Sequence, residues 1–290
     1  MFNFKLYGKT AVAWDNSLKA AMNNYTELMN DPRRLRIEHN QRKVKNLTGH
    51  SDDWTGFESE AAFLTMMKEG DRESATRIRK MGASEVILRS TRRRPRRSDI
   101  GEELDITAVY RGETEKAWRT THREHAEGGT RYVTLVLNHG ANGNVSASSL
   151  AYRGLAALKI ADTLTDAGYF VRIVSGDITQ SVTSGYDSIY LVTLKDFDEY
   201  LNVPKLASVI CRAGFFRRVG FASCIAAADS IEGGLAVSHG LGTAENMTGR
   251  VWTSTYPLID DSAGNTVAIP EANNEADCAR AIEQTLKRFG

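Results

Sequence analysis

Proline is scarce in this chain and cysteine scarcer, five and three among 290 residues. Cys211, Cys224 and Cys278 are widely spaced and odd in number, with no CxxC pair. That pattern argues against a zinc ribbon or a redox couple and fits small buried hydrophobes in a reducing compartment. No run of about 18 apolar residues occurs, the length a spanning helix needs. The opening residues MFNFKLYGKT hold no apolar stretch of signal-peptide length. The expectation is a cytoplasmic protein without a membrane span.

Catalytic signatures are missing as well. There is no G-x-x-x-x-G-K-S/T, and Gly240-Leu241-Gly242 lacks the third glycine of a dinucleotide turn. Gly140-Ala141-Asn142-Gly143 precedes a helix but brings no lysine for a phosphate. His122-Arg123-Glu124-His125 is not H-E-x-x-H and has no third ligand. No serine sits in G-x-S-x-G. The acidic clusters Asp196-Phe197-Asp198-Glu199 and Asp260-Asp261 read as solvated loops. These absences predict a protein that is not an enzyme and carries no cofactor.

What the chain does have is an uneven charge distribution. Residues 1–130 carry 24 Lys and Arg against 20 Asp and Glu, whereas residues 131–290 carry 13 against 16. The net charge of +1 therefore hides halves of +4 and −3. Any attraction to nucleic acid must come from a local patch, because the whole molecule supplies no field for it.

The first half reads as a mixed α+β extension. Residues 16–30 suit a helix closed by Asp31-Pro32. Phe63, Leu64, Met67, Ala75 and Ile78 suit two short amphipathic helices between Glu58 and Met81, broken near Gly70-Asp71. Ser84–Leu88 and Leu104–Tyr110 are strand candidates, with a helical turn around Trp118. The polar stretch His122–Gly129 is the boundary candidate, giving a basic extension over 1–130 and an α/β domain over 131–290.

In the second half strands alternate with helices. Tyr132–Leu137, Phe170–Val174, Ile189–Leu194 and Val267–Ile269 are the strands, the first β-branched-rich as buried parallel strands are. Helices are expected from a Ser146 or Ser148 cap to Asp166, from Pro204 to Cys211, over Ala222–Ala228 and over Asn274–Arg288. Gly168 stands where a left-handed C-terminal cap belongs. The alternation predicts a Rossmann-like, mostly parallel sheet with helices on both faces.

The strongest chemical signal is Arg89-Ser-Thr-Arg-Arg-Arg-Pro-Arg-Arg97: Arg89, Arg92, Arg93, Arg94, Arg96 and Arg97 within nine residues and no acid. Arg77, Arg79 and Lys80 extend it, against Glu85 alone. Pro95 and the Ser/Thr residues favour an extended segment. Such density repels itself unless something anionic neutralises it. Arginine's planar fork pairs with phosphate and stacks on bases, and each neutralised phosphate releases counterions. The segment thus suits nucleic-acid contact; pairing with acids of the second half is the other use it allows. Trp118-Arg119 and Phe215-Phe216-Arg217-Arg218 are aromatic–basic pairs that suit stacking and phosphate contact, although core burial is the ordinary fate of the two phenylalanines.

Two resemblances follow from these residues. The strand, Asn138-His139-Gly140-Ala141-Asn142 and the helix bearing ALKIADTLTDAGYFVRIV resemble the opening of a von Willebrand A domain. In that family the strand ends in Asp-x-Ser-x-Ser, whose oxygens hold magnesium. Here Asn138, Gly140 and Asn142 stand at those positions, so no carboxylate is offered to a hard cation, and the resemblance implies a degenerate site without metal. GFESEAAFLTMM, the arginine run and ELDITAVYRGE, together with that unit, resemble the layout of single-stranded DNA-binding transcription cofactors of phages that carry a giant virion RNA polymerase. This resemblance implies non-enzymatic single-stranded DNA binding and a phage RNA polymerase as partner; cooperative binders of this type are often homo-oligomers. The von Willebrand A likeness alone implies instead a protein–protein adaptor, for example for a ring ATPase.

Overall fold

The computed structural model describes residues 3–49, 52–81, 94–98, 103–112, 117–122, 131–141, 145–180, 186–237 and 266–289. Six strands form the main sheet: β1 (Asn3–Tyr7), β2 (Thr10–Asp15), β6 (Tyr132–Asn138), β7 (Phe170–Gln180), β8 (Asp187–Lys195) and β9 (Thr266–Ala268). Their order is β1-β2-β8-β7-β6-β9. A second sheet, β3-β5-β4, joins β3 (Arg94–Ser98), β5 (Trp118–His122) and β4 (Glu103–Leu104).

The main sheet is mixed, where the alternation of elements predicted a mostly parallel one. β6 runs parallel to β7 and β9, and β2 parallel to β8, but β7–β8 and β1–β2 are antiparallel. The reason is connection length: residues 181–186 alone join β7 to β8, too short a link for a parallel crossover. The polar letters Ser175 and Asp177 suggested that β7 stops at Val174. It continues to Gln180, because both side chains point to a covered face and are buried.

The first half contributes to this sheet directly. β2 lies against β8 with Val12 opposite Ile189 and Ala13 opposite Tyr190. Helix α1 (Leu18–Asn30) follows, started by Ser17, whose Oγ accepts from the Ala20 amide. Next come α2 (Glu38–Asn46), α3 (Asp52–Thr55), α4 (Glu60–Glu69) and α5 (Arg72–Lys80). The last two are the expected pair, and Gly70 breaks them at φ 86°. Asp71 caps α5 by accepting from the Ser74 amide.

Leu104–Tyr110 is not one strand. Asp105 accepts from the Ala108 amide, and helix α6 (Ile106–Tyr110) starts there, since a capping carboxylate overrides the strand preference of Ile and Val. Trp118 lies in strand β5 rather than in a helical turn. Ser84–Leu88 falls outside the described residues.

Helix α7 (Ala147–Asp166) opens on Ser146, whose Oγ accepts from the Ser149 amide. α8 (Val203–Ile210), α9 (Ala213–Phe215), a π turn over Phe216–Gly220 and α10 (Phe221–Ser230) follow β8, and α11 (Glu275–Leu286) follows β9. The helices bury Tyr25, Phe63, Leu155, Leu158, Val209, Phe216 and Ile225 in one cluster with Leu135, Ile173, Tyr190 and Val192. By the two-residue period these strand residues share one face, so the described helices cover one face of the sheet rather than both. Fully burying each such side chain contributes about 1.5–3 kcal/mol. On the opposite face Val12, Val174, Ile189 and Leu191 form a smaller cluster with Tyr7 and Trp14.

Candidate nucleic-acid interface

Arg94–Ser98 is extended, as Pro95 and the Ser/Thr content of its surroundings predict, and it is paired. Its antiparallel register with β5 sets Arg94 against His122, Arg96 against Thr120, Arg97 against Arg119 and Ser98 against Trp118. On the far side of β5, Glu103 stands opposite Arg119 and Leu104 opposite Trp118. Two segments that the sequence separates by some twenty residues, the arginine run and Trp118-Arg119, thus become neighbouring strands. Trp118 is 36% exposed. Arg89, Arg92 and Arg93 lie outside the described residues.

Arg77, Arg79 and Lys80 occupy the last turn of α5, exposed. Cations are favoured there by the helix dipole, so their presence needs no ligand to account for it. Arg77 lies over the Tyr152 ring, 4.7 Å from its centroid.

Arg217 and Arg218 do not reach the surface. They sit in the π turn at 0% and 1% exposure. Arg217 donates to the Trp54 and Val145 carbonyls and lies 4.6 Å from the Trp54 ring centroid. Burial without a counter-ion lowers its pKa to about 10. Arg218 pairs with Glu60, which also accepts from the Tyr25 hydroxyl at 3.0 Å. Phe215 and Phe216 are wholly buried, the ordinary fate. These arginines are internal fastenings between the π turn and α3, α4 and the start of α7, so the structure takes them out of the set of phosphate contacts.

Asn138 and Gly140 sit at the carboxyl end of β6. Asn138 is 2% exposed and its Oδ1 accepts from the Gly140 amide at 2.8 Å, closing the turn on itself. Asn142 falls outside the described residues. Between Asn138 and Gly140, His139 is fully buried, and neither ring nitrogen has a partner among the described residues. Burial first, then Arg153 and Arg217, push its pKa down to about 3. Arg153 donates to the Gly140 carbonyl at 2.5 Å and to Asn273 at 3.1 Å. A turn ringed by two guanidinium groups and a neutral imidazole is a poor seat for a divalent cation. Among the described residues no three His, Cys, Asp or Glu side chains gather as metal ligands.

With the geometry in view, comparison places the chain. Residues 8–290 match a family described as Domain of unknown function (DUF7192). The chain belongs to that family. No curated protein and no solved structure matches it. The matched residues take in the basic ribbon β3-β5-β4 and every strand of the main sheet except β1, which precedes them.

Sequence reasoning missed the polar interior. Arg153 stands in a run of apolar helix positions, between Leu150 and Leu155, which was a readable sign of a buried cation. Asp177 and His139 gave no such sign, since each sits at a strand end where a solvated loop is the ordinary expectation. Among the described residues no helix is long and apolar enough to cross a membrane.

Proposed function

We propose that this protein is a non-enzymatic, sequence-tolerant binder of single-stranded DNA and that the β3-β5 ribbon is its contact surface. The observation that carries this reading is the register that sets the strand bearing Arg94, Arg96 and Arg97 beside the strand bearing Arg119 and the half-exposed Trp118. Guanidinium forks for phosphates and an indole for bases are the two components single-strand binding uses. The layout shared with the phage transcription cofactors adds a phage RNA polymerase as partner and homo-oligomeric binding to the proposal. For the second half the proposal keeps a von Willebrand A-like origin, supported by the β6–α7–β7 unit. The self-closed Asn138 turn speaks against a metal-bridged adaptor role there.

The test is fluorescence anisotropy with labelled single- and double-stranded oligonucleotides across a salt series. Binding should weaken with salt, and Arg94→Ala, Arg96→Ala and Arg97→Ala together should flatten the log–log slope by about 2 for single strands. Trp118→Ala should weaken binding by about 1–3 kcal/mol without changing that slope. No binding at low salt refutes the function, whereas unchanged binding by the triple variant refutes only the ribbon assignment.

A further inference from the structure

Among the described residues β1 is an outer strand of the main sheet and pairs with β2 alone. Along Phe4–Leu6 its other edge has no strand partner among them, so its backbone N–H and C=O groups form a template for another strand. The edge is reachable: Asn3, Lys5 and Leu6 are exposed, Leu6 at 41%. Next to it opens a hollow of about 640 Å³ between β1, α1 and the end of α10. Phe4, Leu28, Leu35 and Ala226 supply its apolar lining. Phe4 stands opposite Ala13 in the register, which places it on the helix-covered face where the hollow lies.

The polar groups of the hollow are committed elsewhere, with one exception. Arg34 pairs with Glu27 at 2.6 Å. The Asp229 carboxylate accepts from the Arg36 and Ile37 amides at 2.7 and 3.0 Å and from Asn40 Nδ2 at 3.0 Å. The Arg36 guanidinium, exposed at the rim, has no hydrogen bond or ion pair among the described residues.

We infer that this hollow and the β1 edge together form a docking groove for an extended segment of a partner protein. That segment pairs with β1, seats one large apolar side chain on Phe4 and Leu28, and offers an acidic residue to Arg36. A small amphipathic acid would use the hollow and the arginine but leave the strand edge idle; only a peptide backbone satisfies all three. A second copy of this chain is a poorer occupant. Its own edge segment, Asn3-Phe4-Lys5-Leu6-Tyr7, contains no acid for Arg36 and would set Lys5 near Lys5. The groove is independent of the basic ribbon, so it gives a nucleic-acid binder a separate place to hold a protein.

The test pans a display library of random dodecapeptides against the full-length protein, with the Arg36→Glu variant as counter-bait. Enriched sequences should share a large apolar residue near an Asp or Glu. The best of them, synthesised with a fluorescein label, should bind Arg36→Glu at least about tenfold more weakly. Ser230→Trp, which fills the mouth from an exposed position, should weaken it comparably, while Leu64→Ser on the remote face of α4 should leave it unchanged. Circular dichroism confirms that all three variants are folded. No enrichment over the counter-bait overturns the groove, and so does peptide binding that survives both Arg36→Glu and Ser230→Trp. Single-stranded DNA binding should be the same in all variants, so the two surfaces fail or stand separately.

Discussion

His139 and Asp177 are buried titratable groups near the ends of adjacent strands, and their folded charges oppose the usual ones. His139 is held neutral, its pKa pushed from 6.5 to about 3 by burial and two arginines. The unfolded chain then binds the proton that the fold refuses. The contribution of His139 to stability is therefore present above pH 6.5 and is lost as pH falls toward about 3. Asp177 works the other way. Among the described residues it has no counter-ion and Oδ1 has no partner, and burial raises its pKa well above 3.8, so the fold keeps the proton. Its contribution is complete below pH 3.8 and is lost as pH climbs toward the folded value. Asp177→Asn, the neutral isostere, should therefore be more stable than the parent at pH 7 and equal to it near pH 3, as urea denaturation at the two pH values will show. A variant that is less stable at both would mean the carboxyl is ionised in the fold. The same carboxyl explains Gly220: a Cβ there would collide with Asp177 Oδ2, so Gly220→Ala should cost about 1–3 kcal/mol in the same assay.

Arginines of the second half fasten the helices of the first. Arg212 holds Asp71 at 2.6 Å and Glu73 at 3.1 Å, tying α5 to the turn after α8. Asp71 is 2% exposed; burial alone would raise its pKa, but the bonds from Arg212 and Ser74 outweigh that and lower it. Arg212→Ala strands this carboxylate and should destabilise the protein by about 3 kcal/mol, more than a surface ion pair is worth. Thermal unfolding checks it, and a loss under about 1 kcal/mol would show the pair to be solvated. Much of the element level was readable beforehand: the serine cap of α7, expected at Ser146 or Ser148 and found at Ser146, the Gly70 break and the strand at Tyr132. Trp118 was misread because its strand partners decide its conformation and are not visible in a local window, and Leu104–Tyr110 because the strand preference of Ile and Val hid the Asp105 cap, a signal the local sequence did carry. The arginine run was legible as extended, while its strand partners were not.

At the scale of the molecule, residues 1–130 and 131–290 share one sheet and one apolar cluster. β2 covers the edge of β8, and Tyr25, Phe63 and Ile78 pack with Leu155 and Phe216. Removing the first half would bare that edge and leave Arg212, Arg217 and Arg218 buried or half-buried without Asp71, the Trp54 carbonyl and Glu60. An isolated 131–290 fragment should therefore show no cooperative thermal transition and poor dispersion in amide spectra. A fragment that melts cooperatively would establish the second half as an independent unit.

By itself the sequence determined the α/β class, the starts of α1, α7 and α11 and the concentration of arginine around the extended Arg94–Arg97. Each of these follows from local chemistry: alternation of strand and helix periods, a hydroxyl or side-chain amide ahead of an apolar stripe, proline within a charged run. Only the tertiary structure decided that the sheet is mixed, that Arg217 and Arg218 face inward and that Arg97 lies against Arg119. Those outcomes depend on which strands meet, across some twenty residues for β3 and β5 and more than a hundred for β2 and β8, and on which buried carbonyls and carboxylates are within reach of a guanidinium once they have met.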